Sequence, residues 1–264
     1  MARKRNSEAK MSLGQHLIEF RNRLFVSAIF VFAGAIGGWF LFDPIFQILQ
    51  APIVELAAEE GVNATVNFGT VVSAFDVRLQ VSIFIGVIGT SPVWLYNIWA
   101  FITPGLKKRE RRYTLAFVFT ALPLFATGVA LAWISLPGFV RTLIGFTPEG
   151  SANVINASEY ILFTLRILLV FGIAFVLPVV LVLLNFASII TAKNIVNSWR
   201  LAVFVIALVA ALATPTADPM SMFLIMIPLI ILYFAAAGIA AINDKRRAKT
   251  MSEYDFDLDE NLVD

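Results

Sequence analysis

The sequence predicts an all-α integral membrane protein with six transmembrane helices and both termini on the cytoplasmic side. Three observations carry this. Of the 264 residues, 59% are hydrophobic and 14% charged, with 24 Phe and a mean hydropathy of +0.83, more apolar surface than one soluble core of this length can hide. Six runs lack ionisable side chains, at residues 24–42, 79–106, 113–140, 167–192, 201–217 and 219–243. Such runs are expected where a charge costs about 2.5–3.5 kcal/mol at the bilayer centre. Finally, seventeen of the twenty Lys and Arg fall in alternate connections, the asymmetry that places basic loops inside.

Residues 1–23 form a cytoplasmic segment. Within it Leu13, Leu17, Phe20 and Leu24 recur at helical spacing, with His16, Glu19 and Arg23 on another face, the mark of an amphipathic helix. Ser12 and Gln15 fit a capping box at its start. The first span follows Arg3, Lys4, Arg5, Lys10, Arg21 and Arg23 and precedes no small-residue cleavage site, so it reads as a retained helix. Loop 43–74 has no Lys or Arg, carries Asp43, Glu55, Glu59 and Glu60, and contains Pro52. It is expected outside, structured around a short helix. The second span ends at Thr103-Pro104-Gly105, where proline removes a donor and glycine permits a turn. Glu110 then opens the next helix among Lys107, Lys108, Arg109, Arg111 and Arg112.

Loop 136–158, with Arg141 as its one cation, is expected outside, and segment 193–200, with Lys193 and Arg200, inside. Pro92, Pro123, Pro178 and Pro228 fall within apolar runs and predict kinked helices whose neighbours satisfy the freed carbonyls. The fifth and sixth spans read as a short hairpin. Only Leu201–Ala213 is strictly apolar, about 20 Å of helix against roughly 30 Å of hydrocarbon. The transmembrane domain is thus 24–243, followed by a cytoplasmic tail, 244–264. Its stretch 250–264 holds six acids and no base, a composition that predicts disorder.

Enzymatic signatures are missing. The chain has no cysteine, no His-Glu-x-x-His and no phosphate-binding glycine loop, and its one histidine, His16, lies outside the spans. No catalytic residue, metal site, cofactor or nucleic-acid partner is predicted. A small-solute transporter or channel is the alternative reading, and it calls for ionisable groups at depth. Asp76, Arg78 and Glu159 sit near outer helix ends. Arg166 lies about 10 Å deeper than Glu159 and reads either as an ion-pathway residue or as a side chain snorkelling to Asp218 or Asp76. Glu19 has the plain reading of an i,i+4 pair with Arg23, worth about 0.3–0.5 kcal/mol. Glu110 has the same kind of reading with Lys107 at i−3.

Five blocks in order resemble the TatC family, the receptor of the twin-arginine protein translocase. They are HLIEFRNRL at 16–24, AP at 51–52, SPVWLYNIWAFITPGLKKRER at 91–111, FGIAFVLPVVLVLL at 171–184 and ATPTADP at 213–219. The resemblance implies a glove-shaped six-helix bundle in a bacterial cytoplasmic membrane, with no catalysis. It implies that twin-arginine signal peptides of folded cargo are its ligands, and single-span TatA/TatB-type subunits and further copies of itself its partners. Transport would draw on the proton gradient. Carried over by position, Glu19 and Glu110 would take the arginine pair, with Arg21, Arg23, Phe101 and Pro104 shaping that surface, and Pro52 and Asp218 would be sensitive loop positions. Val176 stands where many members have Glu or Gln, so the resemblance implies that the partner contact there is apolar or uses another group, Asn185 or Thr164. TPTADP replaces the more usual TPPD around Asp218.

Overall fold

The apolar runs become helices that pack through small residues, with short connections closing each end. The computed structural model describes residues 13–60, 65–102, 111–145, 154–186, 188–213 and 219–260. In chain order its elements are α1 (Leu13–Phe40), α2 (Phe42–Glu60), β1 (Thr65–Asn67), α3 (Ser73–Gly89), α4 (Ser91–Ile102) and α5 (Arg111–Ile144), then β2 (Val154–Asn156), α6 (Ala157–Phe186), α7 (Ala192–Asn197), α8 (Trp199–Ala213) and α9 (Pro219–Glu260). The amphipathic start and the first span are one continuous helix. The capping box at Ser12 lies outside the described residues.

Four stretches are long and apolar enough to cross a membrane: Gly14–Phe40, Phe117–Thr142, Ala157–Phe186 and Ile225–Lys249. α3 and α4 qualify only together, as a pair bent by 62°, so the predicted second span is two helices meeting at an angle. The bend falls where Pro92 removes a backbone donor. The exposed carbonyls are taken up locally. Gly86 O accepts from Thr90 N at 3.0 Å and from Thr90 Oγ1 at 2.7 Å, and Val87 O accepts from the Trp94 indole at 2.8 Å. α8 has 15 residues, about 22 Å of rise, and is as short as its apolar stretch predicts.

α9 is not short, and here the sequence reading is corrected. It runs 42 residues, and its charge-free part alone reaches from Pro219 to Asn243, within which the candidate span starts at Ile225. Its helix also continues to Glu260, through residues whose acidic composition predicts disorder. Extending a helix that packing has already nucleated adds one hydrogen bond per residue fixed, and Ala, Lys, Arg and Met beyond Asp244 are good helix formers.

Two helix crossings set the interior. Where α1 meets α3, Gly34 faces Gly86 and Gly38 faces Ser82, and a Cβ built on Gly86 would lie 2.5 Å from Val31 O and 2.6 Å from Ala35 N. Where α5 meets α6, a Cβ on Gly128 would lie 2.6 Å from Phe171 O, and one on Gly172 would lie 2.7 Å from the Phe125 ring. Lipid tails are as apolar as leucine, so helix pairs in a membrane are held by close packing of this kind. α6 is the hub. It packs on α3, α5 and α9 and buries side chains along its length from Ala157 to Asn185.

The 43–74 connection holds a helix longer than expected, the 19-residue α2, with Leu49, Pro52 and Ile53 buried. Tyr160 at the start of α6 donates to Leu49 O at 2.9 Å. β1 and β2 pair in parallel, Thr65 against Val154 through Asn67 against Asn156, and so join the two connections that the charge pattern assigns to one face. Arg78 fastens the corner between α1 and α2. Its Nη2 donates to Trp39 O at 3.3 Å, lies 3.8 Å from Asp43 Oδ2, and its guanidinium sits 5.0 Å from both the Trp39 and Phe42 rings.

At the other end a polar clasp fixes α7. The Asp244 carboxylate accepts from Asn185 Nδ2 at 2.8 Å and from Ala192 N at 2.7 Å, and Asn185 Oδ1 accepts from Asn243 Nδ2 at 2.9 Å. Thr191 caps α7 by accepting from Asn194 N. Arg247 donates to Ser188 Oγ and Tyr233 donates to Ile195 O. Ser188 holds a left-handed backbone, φ 61°, in the turn that the clasp closes.

Candidate functional site

Charged side chains gather at the start of α1. His16, Glu19, Phe20, Arg23 and Ser27 recur three or four residues apart, which places them on one stripe. That stripe meets the far end of α4. The Phe101 ring stacks on His16 at 4.4 Å and 13°, and lies tilted against Phe20 at 4.9 Å. One turn further on, Asn97 Nδ2 donates to Ser27 Oγ at 3.1 Å, and Ser27 Oγ donates to Arg23 O at 3.0 Å. The 62° bend is what aims α4 at this stripe.

Glu19 and Arg23 form the predicted i,i+4 pair, in an unsymmetrical way. Both Arg23 Nε, at 2.9 Å, and Arg23 Nη2, at 2.5 Å, donate to the same oxygen, Glu19 Oε1. Glu19 Oε2 is shielded from solvent and has no hydrogen-bond partner among the described residues. Arg23 therefore orients the carboxylate and leaves one oxygen unused. Arg21 points elsewhere, with Nη2 donating to Asn22 Oδ1 at 3.2 Å on the exposed side.

Phe101 and Glu19 are thus brought together. Pro104 and Glu110 lie outside the described residues, between the end of α4 and the start of α5, as does Asp218 between α8 and α9. Pro52 is at the opposite end of α1 from Glu19, inside α2. His16, Phe20, Asn97 and Ser27 were not picked out as site residues by the sequence reading. Two rings spaced i,i+4 beside Glu19 were the available signal for His16 and Phe20, whereas the Asn97–Ser27 contact joins residues 70 positions apart and leaves no local trace.

Of the two alternatives at the fourth span, the polar one finds no support in the burial of Asn185 and Thr164. Val176 is buried with Leu95, Trp99, Phe117 and Phe125 where α4, α5 and α6 converge. Asn185 is 1% exposed and Thr164 fully buried. Asn185 is spent in the clasp, and neither side chain presents a polar group to an outside helix. Arg166 is exposed and forms no ion pair with a described residue. Among the described residues no three His, Cys, Asp or Glu side chains come together as metal ligands.

Comparison with known proteins agrees with this arrangement. The family model for the Sec-independent protein translocase protein TatC matches residues 15–228. Proteins of that name from Rothia mucilaginosa and Xylanimonas cellulosilytica are 43% and 42% identical, the first over 95% of this chain and 86% of its own length, the second over 90% and 86%. A crystal structure of the twin-arginine translocase receptor TatC, solved in DDM, superposes with a TM-score of 0.75 at 30% identity, covering 85% of this chain and 99% of that one. These relatives are components of a protein translocase, not enzymes, and their multi-pass character matches the apolar helices here. With the family model spanning most of the sequence and the fold shared over 85% of it, this chain belongs to the TatC family of Sec-independent protein translocase proteins.

Proposed function

We propose that the chain is the receptor and scaffold of a twin-arginine translocase, and that it takes the arginine pair of a signal peptide on Glu19 and Glu110. The observation that carries this reading is the shielded oxygen of Glu19 that no described residue contacts, on the same helix turn as His16 and Phe20, whose rings meet Phe101. A guanidinium fits there on two counts, as a planar donor to a carboxylate and as a cation that stacks on aromatic faces. Lysine offers neither the fork nor the plane. Glu110 supplies the second carboxylate from the basic connection before α5.

The surrounding topology is part of the same proposal. Six spans form a glove-shaped bundle in a bacterial plasma membrane, the bent α3–α4 pair counting as the second span and α8 as the fifth, with both termini cytoplasmic. Pro104, Arg21 and Arg23 shape the receiving surface, and Pro52 and Asp218 lie on the opposite face. Single-span TatA/TatB-type subunits and further copies of the chain assemble around it, and the proton gradient drives export of folded cargo.

Charge-assisted contacts contribute about 1.5–3 kcal/mol each, and micromolar affinity needs about 8 kcal/mol. The carboxylates therefore supply selectivity for arginine and part of the affinity, while burial of the peptide's apolar segment supplies the rest. Glu19→Gln and Glu110→Gln should each weaken photocrosslinking of a twin-arginine peptide by a factor of several to about a hundred, with insertion and melting unchanged. A correctly inserted double variant that still crosslinks and exports like the parent would sink the assignment. Labelling of a cysteine placed at residue 58 from the cytoplasm alone would overturn the orientation.

A further inference from the structure

Between α6, α8 and α9, with α7 as its floor, the bundle holds an apolar groove of about 430 Å³. Its walls include Leu177, Leu181, Ala202, Val205 and Leu229, and at its α7 end it is edged by Asn194 and Ser198. We propose that this groove is a binding site for one acyl chain of an anionic phospholipid, with the headgroup held at the α7 end. This proposal does not depend on the receptor reading.

Three observations select that occupant. The groove is almost wholly apolar along its length and polar only at one end, the polarity of a lipid and not of a soluble ligand. It is also small. Its volume of about 430 Å³ is well below the roughly 1,600 Å³ that 20 Å of a helix 10 Å across would fill, whereas a single file of methylenes fits it. Third, the polar end is basic. Lys193 and Arg200 flank Asn194 and Ser198, and Lys245, Arg246, Arg247 and Lys249 follow on α9. Asp244, held by Asn185 and the backbone of Ala192, still offsets one of these six cations, so the mouth stays basic. Basic pockets between membrane helices are suited to anionic headgroups.

The clasp explains why the slot is preformed. Asp244, Asn185, Thr191 and Tyr233 hold α7 against α6 and α9, so the floor is in place without a lipid. The short α8 adds a reason for a resident lipid, since a 15-residue wall leaves a mismatch with the surrounding hydrocarbon that a held chain can cover.

The test is native mass spectrometry of the full purified chain, delipidated and then titrated with phosphatidylglycerol or phosphatidylcholine in detergent. The parent should retain phosphatidylglycerol in preference to phosphatidylcholine. Lys193→Gln with Arg200→Gln should cut phosphatidylglycerol binding about fivefold per cation removed. Val205→Trp, at a half-exposed wall position, should abolish tight binding of either lipid by filling the slot. Ile36→Trp, in a shallower groove lined by α1 and α3, should change nothing. Equal retention of the two lipids by the parent would overturn the proposal. So would unchanged lipid binding in the charge or groove variants. If Val205→Trp instead left lipid binding intact and abolished self-association on size exclusion, the groove would belong to a second copy of the chain. Identical elution and helical circular dichroism establish that each variant is folded.

Discussion

Gly86→Ala should open the α1–α3 crossing, and the structure fixes by how much. The new methyl carbon would stand 2.5 Å from Val31 O and 2.6 Å from Ala35 N, where carbon–oxygen contacts normally settle at about 3.3–3.6 Å. Both obstacles are backbone atoms in the middle of a helix, so no rotamer change relieves them. The helices must part by about 0.8–1 Å, a gap that forfeits a quarter to a half of each dispersion contact across the crossing. Overpacking of this kind costs about 1–3 kcal/mol. The upper end applies here, because among the described residues α1 packs otherwise mainly on α4 and α2, and no hydrophobic force presses helices together in lipid. At about 2–4 °C per kcal/mol for a chain of this size, the melting temperature should fall by about 5–10 °C. The five tryptophans give a fluorescence readout of unfolding in detergent. Gly37→Ala is the control, since nothing lies within 4 Å of its built Cβ, and it should be neutral or stabilising by up to about 1 kcal/mol. Equal melting of the two variants would show that the close approach of α1 and α3 does not exist.

Asp244→Ala should leave Ala192 N and the Asn185 amide short of an acceptor, cost about 1–3 kcal/mol, and speed hydrogen exchange in residues 188–198 without affecting α1. Trp94→Phe keeps the ring against Phe125 but removes the donor to Val87 O, and should destabilise by about 0.6–1.7 kcal/mol, read by thermal melting. Asn97→Leu should loosen α4 from α1 and weaken twin-arginine peptide crosslinking at Glu19, whereas Asn97→Gln should restore part of it. Equal crosslinking in both variants would remove Asn97 from the positioning of the site.

The apolar runs made most helices legible, because a charge-free stretch has one solution in hydrocarbon. What they did not encode was direction. Pro92 announced a kink, but its angle depends on the Thr90 and Trp94 donors that settle the broken turn, and these became visible only in three dimensions. The sixth span was misjudged as short because an apolar run sets no upper limit on a helix that packing has already built. The site was half legible. Glu19, Arg23 and Phe101 could be taken from their blocks, and the Glu19–Arg23 pair follows from spacing alone. That both Arg23 donors fall on one carboxylate oxygen depends on side-chain rotamers that spacing does not encode, and that Asn185 is an internal strut depends on Asp244, 59 residues away.

The 62° corner between α3 and α4 also has a mechanical meaning. α4 is a rigid arm of 12 residues, about 18 Å long, pivoting at Thr90. Turning the arm by ten degrees sweeps its tip, with Phe101, through about 3 Å, enough to break a ring stack. The pivot is pinned by Gly86, which serves both as acceptor for Thr90 and as the point where α3 touches α1. Torque applied at the tip is therefore delivered to the tightest contact of the bundle, and slack at that contact is magnified at the tip. Arm and pivot behave as a single lever, so a load at Phe101 registers deep between the first two spans.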